Sequence, residues 1–164
     1  MVSSPKIKIQ DNIPLAPLTT LKVGGPARFY TRVESEDQLL DAFDYASTNG
    51  LDVFVLGGGS NILVSDAGFD GIVIHVALNG IDVDGSMVVA KAGEDWDTFV
   101  AHCVENDLAG LECLSGIPGL VGGTPVQNVG AYGQDVSESI ATVRCFDRIN
   151  KTVVDLSNAD CGFT

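Results

Sequence analysis

The sequence predicts an α+β fold, mostly strand, with two amphipathic helices and two glycine-rich loops. Three observations carry this reading. Alternation over 27–33 and short apolar runs at 52–56 and 71–76 mark strands. Apolar residues at helical spacing behind Ser35 and around Trp96 mark helices. Glycine clusters at 57–59 and across 110–133 are too dense for the interior of either element. A soft division near Leu78 then gives two lobes, 1–78 and 79–164, the first a βαβ-type unit and the second opening with a hairpin.

Residues 1–26 are irregular, with KIKIQ a short strand candidate and Pro14, Pro17 and Pro26 as punctuation. From Ala27 to Val33 the strand places Ala27, Phe29, Thr31 and Val33 on one side and Arg28, Tyr30 and Arg32 on the other. Ser35 with Gln38 three residues on makes a capping box. Behind it Leu39, Leu40, Phe43 and Ala46 share a helical face, and Asn49-Gly50 supplies the stop. Asp52–Leu56 reads as a buried strand, broken by Gly57-Gly58-Gly59-Ser60-Asn61, and Ile62–Val64 and Gly71–Val76 as two more. Asp84-Gly85 predicts a hairpin turn between Ile81–Val83 and Met87–Ala92. Trp96, Phe99, Val100, Cys103 and Val104 line a second helix that the spacing carries on towards Gly110. Ile140–Phe146 and Thr152–Leu156 form two final strands around a turn at Asn150-Lys151.

Composition narrows the function classes. With 164 residues, 45% hydrophobic and 19% charged, the chain can bury an ordinary core and has no compositionally disordered stretch. A net charge of −13 argues against a nucleic-acid partner. No run of 18 apolar residues and no signal-like amino end is present, so a cytoplasmic protein away from membranes is the expectation. Cys103, Cys113, Cys145 and Cys161 include no C-x-x-C pair and read as reduced thiols; His75 and His102 lack a matching ligand set for a metal.

The loops carry the chemistry. Seven of the 19 glycines lie between Gly110 and Gly133, interleaved with Pro118, Pro125, Thr124, Gln127, Asn128 and Tyr132. Such a segment reads as backbone brought close to something bulky. Leu56-Gly57-Gly58-Gly59-Ser60-Asn61 follows an apolar strand, where a phosphate cradle is expected, yet fits neither the Walker nor the Rossmann fingerprint. No Lys or Arg falls between Arg32 and Lys91, or between Lys91 and Arg144. A diphosphate held there is therefore expected to be gripped by main-chain N–H groups with Ser60, Asn61 and Thr124.

Four stretches together resemble a known family. They are Thr19-Thr20-Leu21-Lys22-Val23-Gly24-Gly25-Pro26-Ala27, the Leu56–Asn61 loop, Gly110-Leu111-Glu112 ahead of Ser115-Gly116-Ile117-Pro118-Gly119, and the run from Thr124 to Gly133. The chain is similar from about Pro14 onward to the UDP-N-acetylenolpyruvoylglucosamine reductases (UDP-N-acetylmuramate dehydrogenases) of peptidoglycan synthesis, in their amino-terminal FAD-binding part. The resemblance implies a two-lobed FAD-binding domain of the vanillyl-alcohol-oxidase type with noncovalent FAD between the lobes. It implies Gly57, Gly58, Gly59, Ser60 and Asn61 at the pyrophosphate. It also implies Ile117, Pro118, Gly119, Gly123, Thr124, Gln127, Gly130, Ala131 and Tyr132 along the rest of the cofactor, with the Thr124 hydroxyl near the flavin's reactive edge. NADPH would be the hydride donor and a UDP-sugar the small-molecule substrate. The family's catalytic serine, arginine and glutamate are expected beyond Thr164, with the carboxy-terminal substrate domain, so no catalytic residue is assigned and the fragment alone is expected to be inactive. Another oxidoreductase of the same flavin fold, or a non-catalytic flavin- or nucleotide-binding module, is the alternative. Glu112 reads as structural, and Gly59→Val is expected to abolish flavin retention by placing a branched side chain at the phosphate.

Overall fold

A computed structural model describes residues 7–163. The first half builds a four-stranded sheet. β1 (Gln10–Pro14) lies antiparallel to β2 (Pro26–Val33), and helix α1 (Glu36–Thr48) leads to β3 (Val53–Leu56) and β4 (Phe69–Val76). The order is β1-β2-β4-β3, with β4 parallel to both β2 and β3. The strand expected within KIKIQ starts instead at Gln10, and residue 6 lies outside the described residues. Pro14 is tolerated because β1 is an edge strand and the proline ends it.

Both faces of the sheet are covered. α1 packs on one, where Val33, Ile72 and Ile74 meet Ala42 and Ala46. On the other, Leu15 and Leu18 from the segment after β1 cover Ala27, Tyr30, Leu56 and Val73. The polar side assigned to Tyr30 is thus corrected: Tyr30 is buried. A register shift between Ala27 and Phe29 turns the strand, so Ala27 and Tyr30 face one core and Phe29 and Val33 the other. A strand covered on both faces shows no clean alternation. Half of the capping box forms: Ser35 Oγ accepts from the Gln38 N–H at 3.2 Å, whereas Gln38 Oε1 accepts at 2.7 Å from the Glu34 N–H, one residue before the cap. Residues 62–64 form no strand; they run beside Gly24-Gly25, joined by the hydrogen bond from Gly25 N–H to the Ser65 carbonyl.

The second half has its own core around Trp96, Phe99, Val100, Cys103, Leu114 and Val136. β5 (Ile81–Asp84) and β6 (Met87–Ala90) make the expected hairpin, but Asp84 pairs with Met87. The loop is therefore Gly85-Ser86, one residue later, with φ +60° at Gly85. Helix α2 (Trp96–Glu105) stops well before Gly110. Asp107 takes φ +57°, its N–H bonds the Val104 carbonyl, and the Leu108 N–H bonds that of Cys103. These bonds form a Schellman ending with aspartate in the glycine position.

The glycine-rich segment then folds as short pieces: 3-10 turns at Glu112–Leu114 and Val121–Gly123, the one-turn helix α3 (Thr124–Gln127), and a small hairpin of β7 (Gly130–Ala131) and β8 (Gln134–Asp135). β9 (Thr142–Asp147), β10 (Thr152–Ser157) and α4 (Asn158–Cys161) close the described chain. The β9–β10 hairpin returns to α1: Phe146 stacks on Phe43 at 4.8 Å, and Arg144 and Lys151 pair with Glu36 and Asp44. Among the described residues no helix is long and apolar enough to cross a membrane.

Candidate functional site

β3 ends on fully buried Leu56, and the chain leaves the sheet through Gly57, Gly58 and Gly59. Gly59 is buried at φ +68°, and the Thr20 N–H bonds its carbonyl at 2.9 Å. A Cβ on Gly59 would lie 2.1 Å from the Leu18 carbonyl oxygen. The reason expected for Gly59→Val is therefore corrected: the side chain would strike the 18–20 strap. Gly57, with only Leu120 within van der Waals reach, and Gly58, packed close to Gly119, line a cleft instead.

The second ribbon is hung on the start of α2. Gly122 and Val121 donate to the carbonyls of Ala92 and Glu94, and the Trp96 N–H donates to the Gly119 carbonyl at 3.1 Å. Inside, the Trp96 indole N–H reaches the Leu114 carbonyl at 2.8 Å. Outside, an Asp97 carboxylate oxygen accepts from the Ser115 hydroxyl and the Gly116 N–H, each at 2.7 Å. Those bonds, the serine's first, hold its carboxyl below the ordinary carboxylate range. Glu112 likewise accepts from the Gly110 N–H at 2.6 Å, bracing the segment.

The two ribbons meet. Ser60 Oγ donates to the Pro118 carbonyl at 3.1 Å, and a Cβ on Gly58 would lie 3.1 Å from Gly119 Cα. Beside this junction is a cleft of about 270 Å³ lined by Pro17, Leu18, Thr19, Thr20, Lys22, Gly57, Gly58, His75 and Leu120. That is below the roughly 300–1,000 Å³ of a whole-ligand pocket and leaves room for only part of a dinucleotide.

Gly57, Gly58 and Ser60 are thus brought together with Pro118 and Gly119. Asn61 is exposed, and Ile117 is half-buried against the Trp96 core. Gly123 has open space where a side chain would stand. Thr124 is buried, its hydroxyl donating to the Val121 carbonyl at 2.9 Å. Gln127 is exposed at the end of α3. Gly130 and Ala131 form β7, and Tyr132 with Gly133 is the two-residue loop between Ala131 and Gln134. Both loop residues have positive φ, +53° and +81°, the I′ geometry, which leaves Tyr132 at the tip and 93% exposed.

Two cleft residues escape a linear reading of charge. Lys22 stands far from Gly57 in the chain yet beside it in the fold, its ammonium donating to the Pro17 carbonyl at 3.0 Å. His75 is set there because β4 pairs it with Leu56, the residue before the glycines. Its Nδ1 lies 2.7 Å from the Tyr30 hydroxyl. Burial, then Arg32, pushes the imidazole below its ordinary pKa, and burial raises the Tyr30 phenol. The Thr19–Ala27 motif contains the lysine, whereas only strand pairing reveals the histidine.

These residues fit the diphosphate of a dinucleotide: glycines without side chains let it approach the backbone, and Lys22 lines the same cleft. Residues 27–157 match the family model described as FAD binding domain. The chain is 49% identical to the UDP-N-acetylenolpyruvoylglucosamine reductase of Cutibacterium acnes, over 93% of this chain and 42% of that protein. It is 48% identical to that of Streptomyces coelicolor, over 92% and 39%. The chain thus spans about two fifths of these curated relatives' length. The crystal structure of the Thermus caldophilus UDP-N-acetylenolpyruvylglucosamine reductase superposes with a TM-score of 0.80 at 30% identity, over 96% of this chain and 55% of that one. A 6-hydroxy-D-nicotine oxidase from Arthrobacter nicotinovorans shares the fold, with a TM-score of 0.66 at 18% identity, over 98% and 38%. With most of its length inside the family match, the chain belongs to the FAD binding domain family.

Proposed function

We propose that this chain is the FAD-binding portion of an NADPH-dependent, cytoplasmic reductase that converts the enolpyruvyl ether of UDP-N-acetylglucosamine to UDP-N-acetylmuramate. The observation that carries the reading is the junction of the two glycine ribbons, Ser60 on Pro118 and Gly58 on Gly119. Bound FAD would supply the hydride-transfer chemistry. The chain's own task is to hold and orient it. Gly57 to Asn61 and Ile117 to Gly119 would take the phosphates, between lobes 1–78 and 79–164. Gly123, Thr124, Gln127, Gly130, Ala131 and Tyr132 would border the remainder. Thr124 already donates its hydroxyl proton to Val121, so towards a bound flavin it offers an acceptor. Tyr132, exposed at a hairpin tip, offers a ring face. The UDP-sugar chemistry belongs to the part of the relatives that residues 1–164 do not match.

Titration of the purified chain with FAD tests this. Saturable quenching of Trp96, the single tryptophan, and flavin absorption near roughly 450 nm retained through gel filtration are expected. Absence of flavin binding would overturn the reading. In a protein carrying this chain at its relatives' full length, NADPH oxidation should depend on the enolpyruvyl UDP-sugar; turnover of an alcohol would assign an oxidase of the same fold.

A further inference from the structure

We infer that Lys22 and His75 form the side-chain half of the dinucleotide's diphosphate site, facing the main-chain half built by Gly57 and Gly58. This deepens the FAD reading above and rests on it.

Lys22 is held in place at a cost. Its backbone sits at φ +56°, where a side-chain-bearing residue is uncommon, with its N–H on the Thr19 carbonyl. Its ammonium is anchored on the Pro17 carbonyl, which uses one of three N–H donors and leaves two. Arg28, Arg32, Arg144 and Lys151 each meet a carboxylate within 3.2 Å. Among the described residues Lys22 meets none, as is also true of Lys8, Lys91 and Arg148, but of these four Lys22 alone lines the cleft. In a chain with 22 acidic residues against nine basic ones, an ammonium without a carboxylate, beside bare glycines, is a cation kept for an anion from outside.

His75 complements it. We assign the tautomer in which the Tyr30 hydroxyl donates to Nδ1 across their 2.7 Å hydrogen bond, so that Nε2 carries the ring proton. A neutral imidazole so fixed adds an N–H donor to the cleft without repelling the ammonium. The pair therefore selects ligands with a diphosphate over the bare isoalloxazine.

The test compares FAD with riboflavin, which has the same ring and no phosphate, in Trp96 fluorescence titrations. Lys22→Met should weaken FAD about ten- to hundredfold, the loss of one charge-assisted contact, and flatten its salt dependence. Lys22→Arg should recover most of the affinity, and riboflavin binding should be unchanged in both. His75→Phe should weaken FAD about tenfold, and His75→Gln, which keeps a donor, by less. Unaltered FAD affinity in Lys22→Met, or an equal loss for riboflavin, would overturn the inference and leave the FAD reading standing. Were Lys22→Met to unfold, the unsubstituted chain decides: FAD affinity insensitive to ionic strength overturns the inference. An unsubstituted chain that binds no FAD removes both.

Discussion

At Gly59 a methyl group would meet the Leu18 carbonyl oxygen at 2.1 Å, on a backbone already at φ +68°. Gly57, two residues earlier, has only Leu120 Cδ1 within reach, at 3.9 Å. The two positions should therefore fail differently. Gly59→Ala is expected to lose about 2 kcal/mol or more in urea unfolding, from positive φ and overpacking together. Gly57→Ala should unfold within about 0.5 kcal/mol of the unsubstituted chain, as surface changes do, yet bind FAD more weakly because the methyl stands on the cleft rim. Equal stabilities for the two variants would contradict this division of roles. The triple glycine was legible as a loop that excludes side chains. Which of the three faces a ligand was not, because that depends on where the 18–20 strap lies.

At the scale of elements, α2 determines the position of the second ribbon. Asp95 caps it, one carboxylate oxygen accepting from the Thr98 N–H at 2.9 Å and its hydroxyl at 2.8 Å. Asp95→Ala should cost about 1 kcal/mol, as lost N-caps do. At the other end Asp107→Gly should stabilise by about 0.5–1 kcal/mol, since glycine takes positive φ without strain. Trp96→Phe removes the donor to Leu114 and leaves that carbonyl unpaired in the core, a loss of about 1–3 kcal/mol. Chemical denaturation of the three variants checks each sign. The helix was plain in the periodicity, but its C-terminal stop was not. Gly110 is the natural end by residue type, whereas the Schellman bonds close on Asp107, an exposed residue of a type that enters the left-handed region less readily than glycine.

For the whole molecule, acid should act in two stages. The His75 ring sits below its ordinary 6.5, chiefly through burial. Below that pH the unfolded chain takes up a proton the folded chain refuses, so this stability is complete above about 6.5 and is lost as pH falls. Asp97, Glu112 and Asp147 are held below their ordinary values by hydrogen bonds from Ser115, from the Glu112 and Gly110 amides, and from the Asn150 amide. Their share is complete above their unfolded pKa values and is lost as pH drops through the folded ones. Thermal melts should hold level from pH 8 to about 7 and then decline, with His75→Gln flattening the first descent. A first descent unchanged in His75→Gln would assign it to other groups.

By itself the sequence determined the mixed fold, both main helices, the central strands and the presence of two glycine-rich ribbons. Periodicity, caps and glycine density are local properties, written within a few neighbouring residues. Tertiary structure alone decided that the ribbons touch, that Tyr30 is buried, and that Lys22 and His75 stand at the cradle. A gap in charge along the chain is no gap in space: the strap after β1 and the pairing of β4 with β3 bring a cation and a fixed imidazole to glycines that have no charged neighbour in sequence.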